Sequence, residues 1–222
     1  MEVNGVSINF LGHDGFLIEN GHKRLVIDPY NVSESIGKVD YILITHSHYD
    51  HCSIKDINKL SKEGTVVIVP ADAQSKITRI DGVHMEVIEI GDELDLGKMR
   101  IQALPAYNIG KDFHSKNEGW LGYLVKLGNI IIYHAGDTDK IPEMNNLSGY
   151  GKHGNNFIAL LPVSGTYVMS AEEAAEAASI INPDIAIPMH YGAGVIGSVD
   201  DAQRFVKLCE EKGVEAKILE KI

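Results

Sequence analysis

Three imidazoles and a carboxylate crowd into six residues, His46-Ser47-His48-Tyr49-Asp50-His51, directly after the apolar run Tyr41-Ile42-Leu43-Ile44. An apolar run of that length bounded by polar residues reads as a buried strand. The cluster therefore sits where the strand stops and a loop begins. Loops on a rigid scaffold are where binding residues concentrate. Imidazole and carboxylate together suit zinc, manganese, iron or nickel. Such a loop can turn His46 and His48 toward one ion and Asp50 and His51 toward a second. One loop does not complete two metal shells, so a fold built around it must bring further ligands from other strand ends.

Two other strand ends offer them. The run 130–133 leads into His134-Ala135-Gly136-Asp137-Thr138, and the run 185–188 into Met189-His190-Tyr191-Gly192. In both, an apolar strand delivers Asp137 or His190 beside a glycine, which permits close backbone approach. Elsewhere, β-branched and aliphatic runs alternate with turn signals. Strands are expected over 6–11, 16–19, 24–28, 40–45, 65–69, 85–90, 99–104, 121–127, 130–133, 157–161, 185–188 and 216–219. The stretches 85–90 and 99–104 read as a pair. Asn20-Gly21 and Gly128-Asn129 mark hairpins. Ser53 caps a helix to about Leu60, and Ser170 with Glu173 forms a capping box. A third helix opens at Ser198 and stops at Gly213. The pattern implies an α/β chain of two sheets with helices outside, folded as one domain over 1–222.

The ordered set also contains Gly12-His13 and Asp28-Pro29. On these residues, from about 8 to 192, the chain resembles the metallo-beta-lactamase superfamily of metal-dependent hydrolases. It looks most like the compact branch with ascorbate-phosphate lactonase-like proteins and uncharacterised archaeal hydrolases. The resemblance implies an αβ/βα four-layer sandwich with two divalent metal ions, zinc first, with manganese, iron or nickel as alternatives. It assigns His46 and His48 to the first ion, Asp50, His51 and His190 to the second, and Asp137 to both. A further histidine completes the first site in the broader family. Here the position after Leu104-Pro105 leads to Asn108, and His114 follows on the same loop. Imidazole is the better donor, which favours His114. Asn108 is the alternative, acting through its amide on metal, water or substrate.

The implied chemistry is hydrolysis of a small ester-type substrate (lactone, thioester or phosphodiester) by a metal-bridged hydroxide. Asp50 would ligate one ion and orient the hydroxide, with Tyr191, Tyr107 or His13 protonating the leaving group. A true beta-lactamase would carry a cysteine where Asp137 stands. The alternative is a metal-binding sensor or assembly protein without turnover. Asp28 is a natural partner for a motif histidine. His13 and His134 face the site or serve the fold, and His22, His84 and His153 read as surface residues. Cys52 reads as a packed residue.

The formal charge of −11, from 31 acidic and 20 basic residues, argues against a general grip on nucleic acid or anionic lipid. No apolar run approaches the roughly 20 residues that span a bilayer. Two cysteines give no disulfide framework, so a reduced cytoplasmic protein is expected. The expected partner is a small-molecule substrate, with self-association left open.

Overall fold

The computed structural model describes residues 1–21, 23–152 and 154–222. His22 and His153, expected at the surface, lie outside the described residues. The chain divides into two compact units, 1–89 with 220–222, and 90–219.

The first unit holds β1 (Glu2–Val3), β2 (Val6–Gly12), β3 (Gly15–Asn20), β4 (Lys23–Ile27), β5 (Tyr41–Leu43), α1 (Ile54–Leu60), β6 (Val66–Val69), α2 (Gln74–Ile77) and β7 (His84–Val87). Its seven strands lie side by side in chain order. The β1–β4 part is antiparallel, as hairpins dictate, and β4 to β7 are parallel. Parallel neighbours need a crossover, which α1 supplies between β5 and β6 and α2 between β6 and β7. Ile57, Leu60 and Ile77 of these helices pack into a buried cluster with Leu17, Val26, Ile42, Val67 and Val69 from the strands. Each such aliphatic side chain contributes roughly 1.5–3 kcal/mol on burial. Ser53 caps α1 by accepting from Asp56 N, as expected.

The second unit holds β8 (Glu93–Asp95), β9 (Met99–Pro105), β10 (Leu121–Leu127), β11 (Ile130–His134), β12 (Asn156–Pro162), α3 (Ala171–Ile181), β13 (Ile185–Met189) and α4 (Val199–Glu211). Its six strands repeat the plan: β8 to β11 antiparallel, then β11, β12 and β13 parallel. Helix α3 carries the expected capping box. It packs on β12 and α4, and α4 packs on β13. Gly122 of β10 is fixed by crowding, because a Cβ there would lie 2.8 Å from the Ala135 carbonyl oxygen just beyond β11.

Two expectations are corrected. The stretches 85–90 and 99–104 do not pair: β7 joins β6 in parallel, while β9 turns back on β8. The turn is made by Leu96 N donating to Met99 O and by Gly97 at φ +82°. The run 216–219 forms only an isolated bridge, Ala186 to Ala216. No helix among the described residues is long and apolar enough to cross a membrane.

Strand direction fixes where the loops emerge. In the first sheet β2, β4 and β5 run the same way, so Gly12-His13-Asp14, Asp28 and residues 46–51 leave one edge. In the second, β9, β11, β12 and β13 run the same way and release the loops of Asn108 and His114, Asp137, Ser164 and His190 at one edge. Ligands of α/β sheets bind at the carboxyl ends of strands.

Candidate metal centre

In the first unit, the motif hangs from a buried carboxylate. Asp28 accepts from Thr45 N at 2.8 Å, Thr45 Oγ1 at 2.5 Å and His51 Nδ1 at 2.8 Å. Because the Thr45 hydroxyl hydrogen goes to Asp28, its oxygen accepts from His46 Nδ1 at 2.9 Å. These bonds place the protons on Nδ1 of His46 and of His51, which turns both Nε2 lone pairs the other way. His51 Nε2 lies 3.8 Å from Asp50 Oδ2, and that oxygen is 3.0 Å from His13 Nε2. His51 Nδ1 also lies 3.5 Å from Asp14 Oδ2. His46 Nε2 faces His48 Nδ1 at 3.0 Å. Two nitrogens that share a tetrahedral zinc at about 2.0–2.1 Å stand about 3.3 Å apart, so this pair is close to a donor edge. The loop is gripped from behind: Ser47 N donates to Asp72 Oδ2 at 3.2 Å, and Lys76 Nζ donates to Ser47 O.

The second unit carries the other three ligand candidates. Asp137 Oδ2 lies 3.3 Å from both His114 Nε2 and His190 Nε2. His114 Nδ1 donates to the Tyr167 carbonyl at 2.8 Å, and His190 Nδ1 meets Ser164 Oγ at 2.6 Å. A carbonyl only accepts, so His114 Nδ1 carries a proton while Nε2 faces a carboxylate oxygen. That arrangement calls for a cation between them or a second ring proton. A remote nitrogen tied to a carbonyl or hydroxyl is the setting of metal-bound histidines.

Asn108, His114 and Asp137 are all buried. Asn108 Nδ2 donates to the Tyr167 carbonyl at 2.6 Å and the Phe113 carbonyl at 3.0 Å, and Asn108 N donates to His114 O at 2.7 Å. Asn108 thus closes the loop that carries His114. Its amide is oriented by two acceptors, and its buried Oδ1 has no hydrogen-bond partner among the described residues. Carboxylates and imidazoles this buried are costly without compensating charge. The donor set of nitrogen and oxygen atoms fits divalent transition ions.

The remaining candidates separate clearly. His13 and Asp28 stand among the motif side chains, whereas His134 Nδ1 accepts from Gly136 N at 3.2 Å and holds the turn toward Asp137. His84 is exposed and pairs with Glu86, as expected of a surface residue. Tyr191 is buried, and burial pushes its phenol up, so it keeps its proton at neutral pH. Tyr107 donates its hydroxyl to Glu143 at 2.8 Å and accepts from Lys116, which commits it elsewhere. Burial pushes the Cys52 thiol up to about 11, so it is no thiolate nucleophile.

Sequence reasoning missed Asp14, Thr45, Ser164, Asp72 and Lys76. Ser164 follows β12 and precedes a glycine, the same signal that exposed Asp137. The Tyr167 contribution is a backbone carbonyl, which no side-chain pattern reveals. Four of the residues at these strand ends, His13, Asp28, His114 and His190, have φ of +55°, +43°, +56° and +62°. Such left-handed backbone is uncommon outside glycine and gathers at functional sites. Gly197 packs against His190: a Cβ there would lie 2.7 Å from the His190 carbonyl oxygen and 2.6 Å from Ser164 Cβ.

Comparison with known proteins shows the family and the fold. Residues 7–190 match the model of the beta-lactamase superfamily domain. A UPF0173 metal-dependent hydrolase of Nanoarchaeum equitans is 33% identical over 222 aligned residues, covering 97% of each chain. A solved metal-dependent hydrolase structure from Parabacteroides distasonis superposes with a TM-score of 0.83 at 29% identity, covering 98% of this chain and 94% of that one. The metallo hydrolase Igni18 of Ignicoccus hospitalis shares the fold at a TM-score of 0.74 and 23% identity, over 97% and 95% of the two chains.

Proposed function

This chain belongs to the beta-lactamase superfamily, as one of its metal-dependent hydrolases, and from that premise we propose that it cleaves a small ester-type substrate at two divalent ions. The substrate is a lactone, thioester or phosphodiester, and zinc is the first choice of ion. The observation that carries the reading is Asp137 Oδ2, 3.3 Å from two imidazole nitrogens whose rings are tied at their far side.

On this reading His46, His48 and His114 would hold the first ion, Asp50, His51 and His190 would hold the second, and Asp137 would serve both. When bound, such ions acidify a water and stabilise the negative charge that develops on the substrate. The chain's own residues do the rest. Asp28 and Thr45 keep His51 and His46 in the tautomers that donate through Nε2. His13 Nε2 holds one Asp50 oxygen at 3.0 Å, which fixes the direction of the carboxylate. Tyr191, protonated at neutral pH, is the donor for the leaving group. The two free cysteines, both buried, support a reducing cytoplasmic setting.

The test is zinc titration combined with a panel of lactones, thioesters and phosphodiesters. The expected outcome is two equivalents bound and turnover on one class, with Asp137→Ala losing both ions and His190→Ala mainly one. No uptake of zinc or manganese, or turnover indifferent to Asp137→Ala, overturns the reading.

A further inference from the structure

We propose that Phe113 and Tyr167, flanked by Ile109, form a recognition surface for an alkyl or aryl group of the substrate, a proposal that rests on the hydrolase reading above. Phe113 is 49% exposed and Ile109 55%. Both lie on the one loop that carries Asn108 and His114. The Phe113 and Tyr167 rings meet edge to face, with centroids 4.7 Å apart and planes at 82°.

These rings are mechanically joined to the candidate ligand. The Tyr167 carbonyl accepts from both His114 Nδ1 and Asn108 Nδ2, and the Phe113 carbonyl accepts from Asn108 Nδ2. The peptide groups that fix the imidazole therefore belong to the two aromatic residues. Lys111 braces the same loop by donating to Asp139 at 2.5 Å, to Val168 O at 2.7 Å and to Gly165 O at 3.2 Å. Asp139 returns the hold by accepting from Ile109 N at 2.8 Å.

Phe113 leaves about half its surface in water, so burial accounts for only part of its apolar area and the rest is open to a ligand. A rigid aromatic pair beside a ligand offers area to an apolar partner at little ordering cost. The occupant is the hydrocarbon part of an ester-type substrate whose reacting group is held near His114.

The probe is a set of straight-chain hydroxamates, from acetohydroxamate to octanohydroxamate, on the zinc-loaded full chain. Each has the same chelating head and a longer tail. Binding is followed by emission of Trp120, the only tryptophan, whose ring centroid lies 5.2 Å from that of His114. Affinity is expected to rise about two- to fourfold per methylene, the gain for partial to full burial. In Phe113→Ser the octano-to-aceto affinity ratio should collapse, and in Phe113→Leu most of it should return. A wild-type affinity independent of tail length overturns the proposal. So does a Phe113→Ser variant that weakens the shortest and longest probes by the same factor. Failure of every hydroxamate to bind the zinc-loaded chain overturns the metal-centre reading itself, and this proposal with it.

Discussion

Asp28 gathers three hydrogen bonds on one buried carboxylate at a backbone angle of φ +43°. Asparagine tolerates that backbone region, so Asp28→Asn removes charge and acceptor capacity while sparing the turn. The amide has one acceptor oxygen, so it cannot take Thr45 N on one side and Thr45 Oγ1 with His51 Nδ1 on the other as the carboxylate does. Zinc affinity at His51 should fall about 10–100-fold, the usual effect of losing a partner behind a ligand. Competition against a chromophoric chelator measures this, and an unchanged affinity would remove Asp28 from the role. The reading of single residues picked out ligand-type side chains that follow an apolar strand, His46, Asp137 and His190, and the structure buries all three. It also ranked His114 over Asn108 on donor chemistry alone. It missed what backbone supplies: the Tyr167 carbonyl behind His114, and the left-handed turns that aim His114 and His190.

The motif loop is a short element whose own turn, closed by His51 N and Cys52 N donating to His48 O, is gripped by its neighbours. Asp72, just before α2, and Lys76, within it, clasp Ser47 on both sides, Asp72 taking its N–H and Lys76 its carbonyl. Ser47 stands between His46 and His48, so loosening it should blur their mutual spacing. Lys76→Met keeps the helical stem and deletes the donor. Affinity for the ion between those two histidines should drop about tenfold, the lower end for such supporting contacts, without loss of the folded circular dichroism spectrum. Full retention of the ion would show that the loop holds its shape unaided. Hairpins and capped helices were legible because Asn-Gly, Gly-Asn and Ser-x-x-Glu are local signals. Sheet membership was not. Whether β9 pairs with 85–90 or with Glu93–Asp95 turns on Gly97 and on the parallel docking of β7, a long-range outcome. The tail at 216–219 has strand-like composition, yet it makes a single isolated bridge, Ala216 to Ala186, with Lys217 N donating to Ala186 O.

For the molecule as a whole, stability should fall at alkaline pH. Burial pushes the Cys209 thiol from 9.0 up to about 12, and the Tyr133 phenol is likewise raised above 10.0 by burial. The unfolded chain therefore releases these protons at lower pH than the folded chain does. Between the two values folding retains protons, and stability declines as pH rises. Thermal unfolding should be steady to about pH 8 and weaken progressively beyond about pH 9, with Cys209→Ala giving a shallower decline. Equal slopes for the two proteins would show that Cys209 does not contribute. The left-handed histidines carry a different consequence, one for descent rather than for chemistry. At positions 13, 114 and 190 a chain selected only to fold would drift to glycine or asparagine, which take that backbone without strain. An imidazole at such a position is favoured by selection for what it binds more than by the backbone it must adopt. A lineage released from that selection should lose these three before it loses the motif histidines, so the trio reports whether a descendant still works.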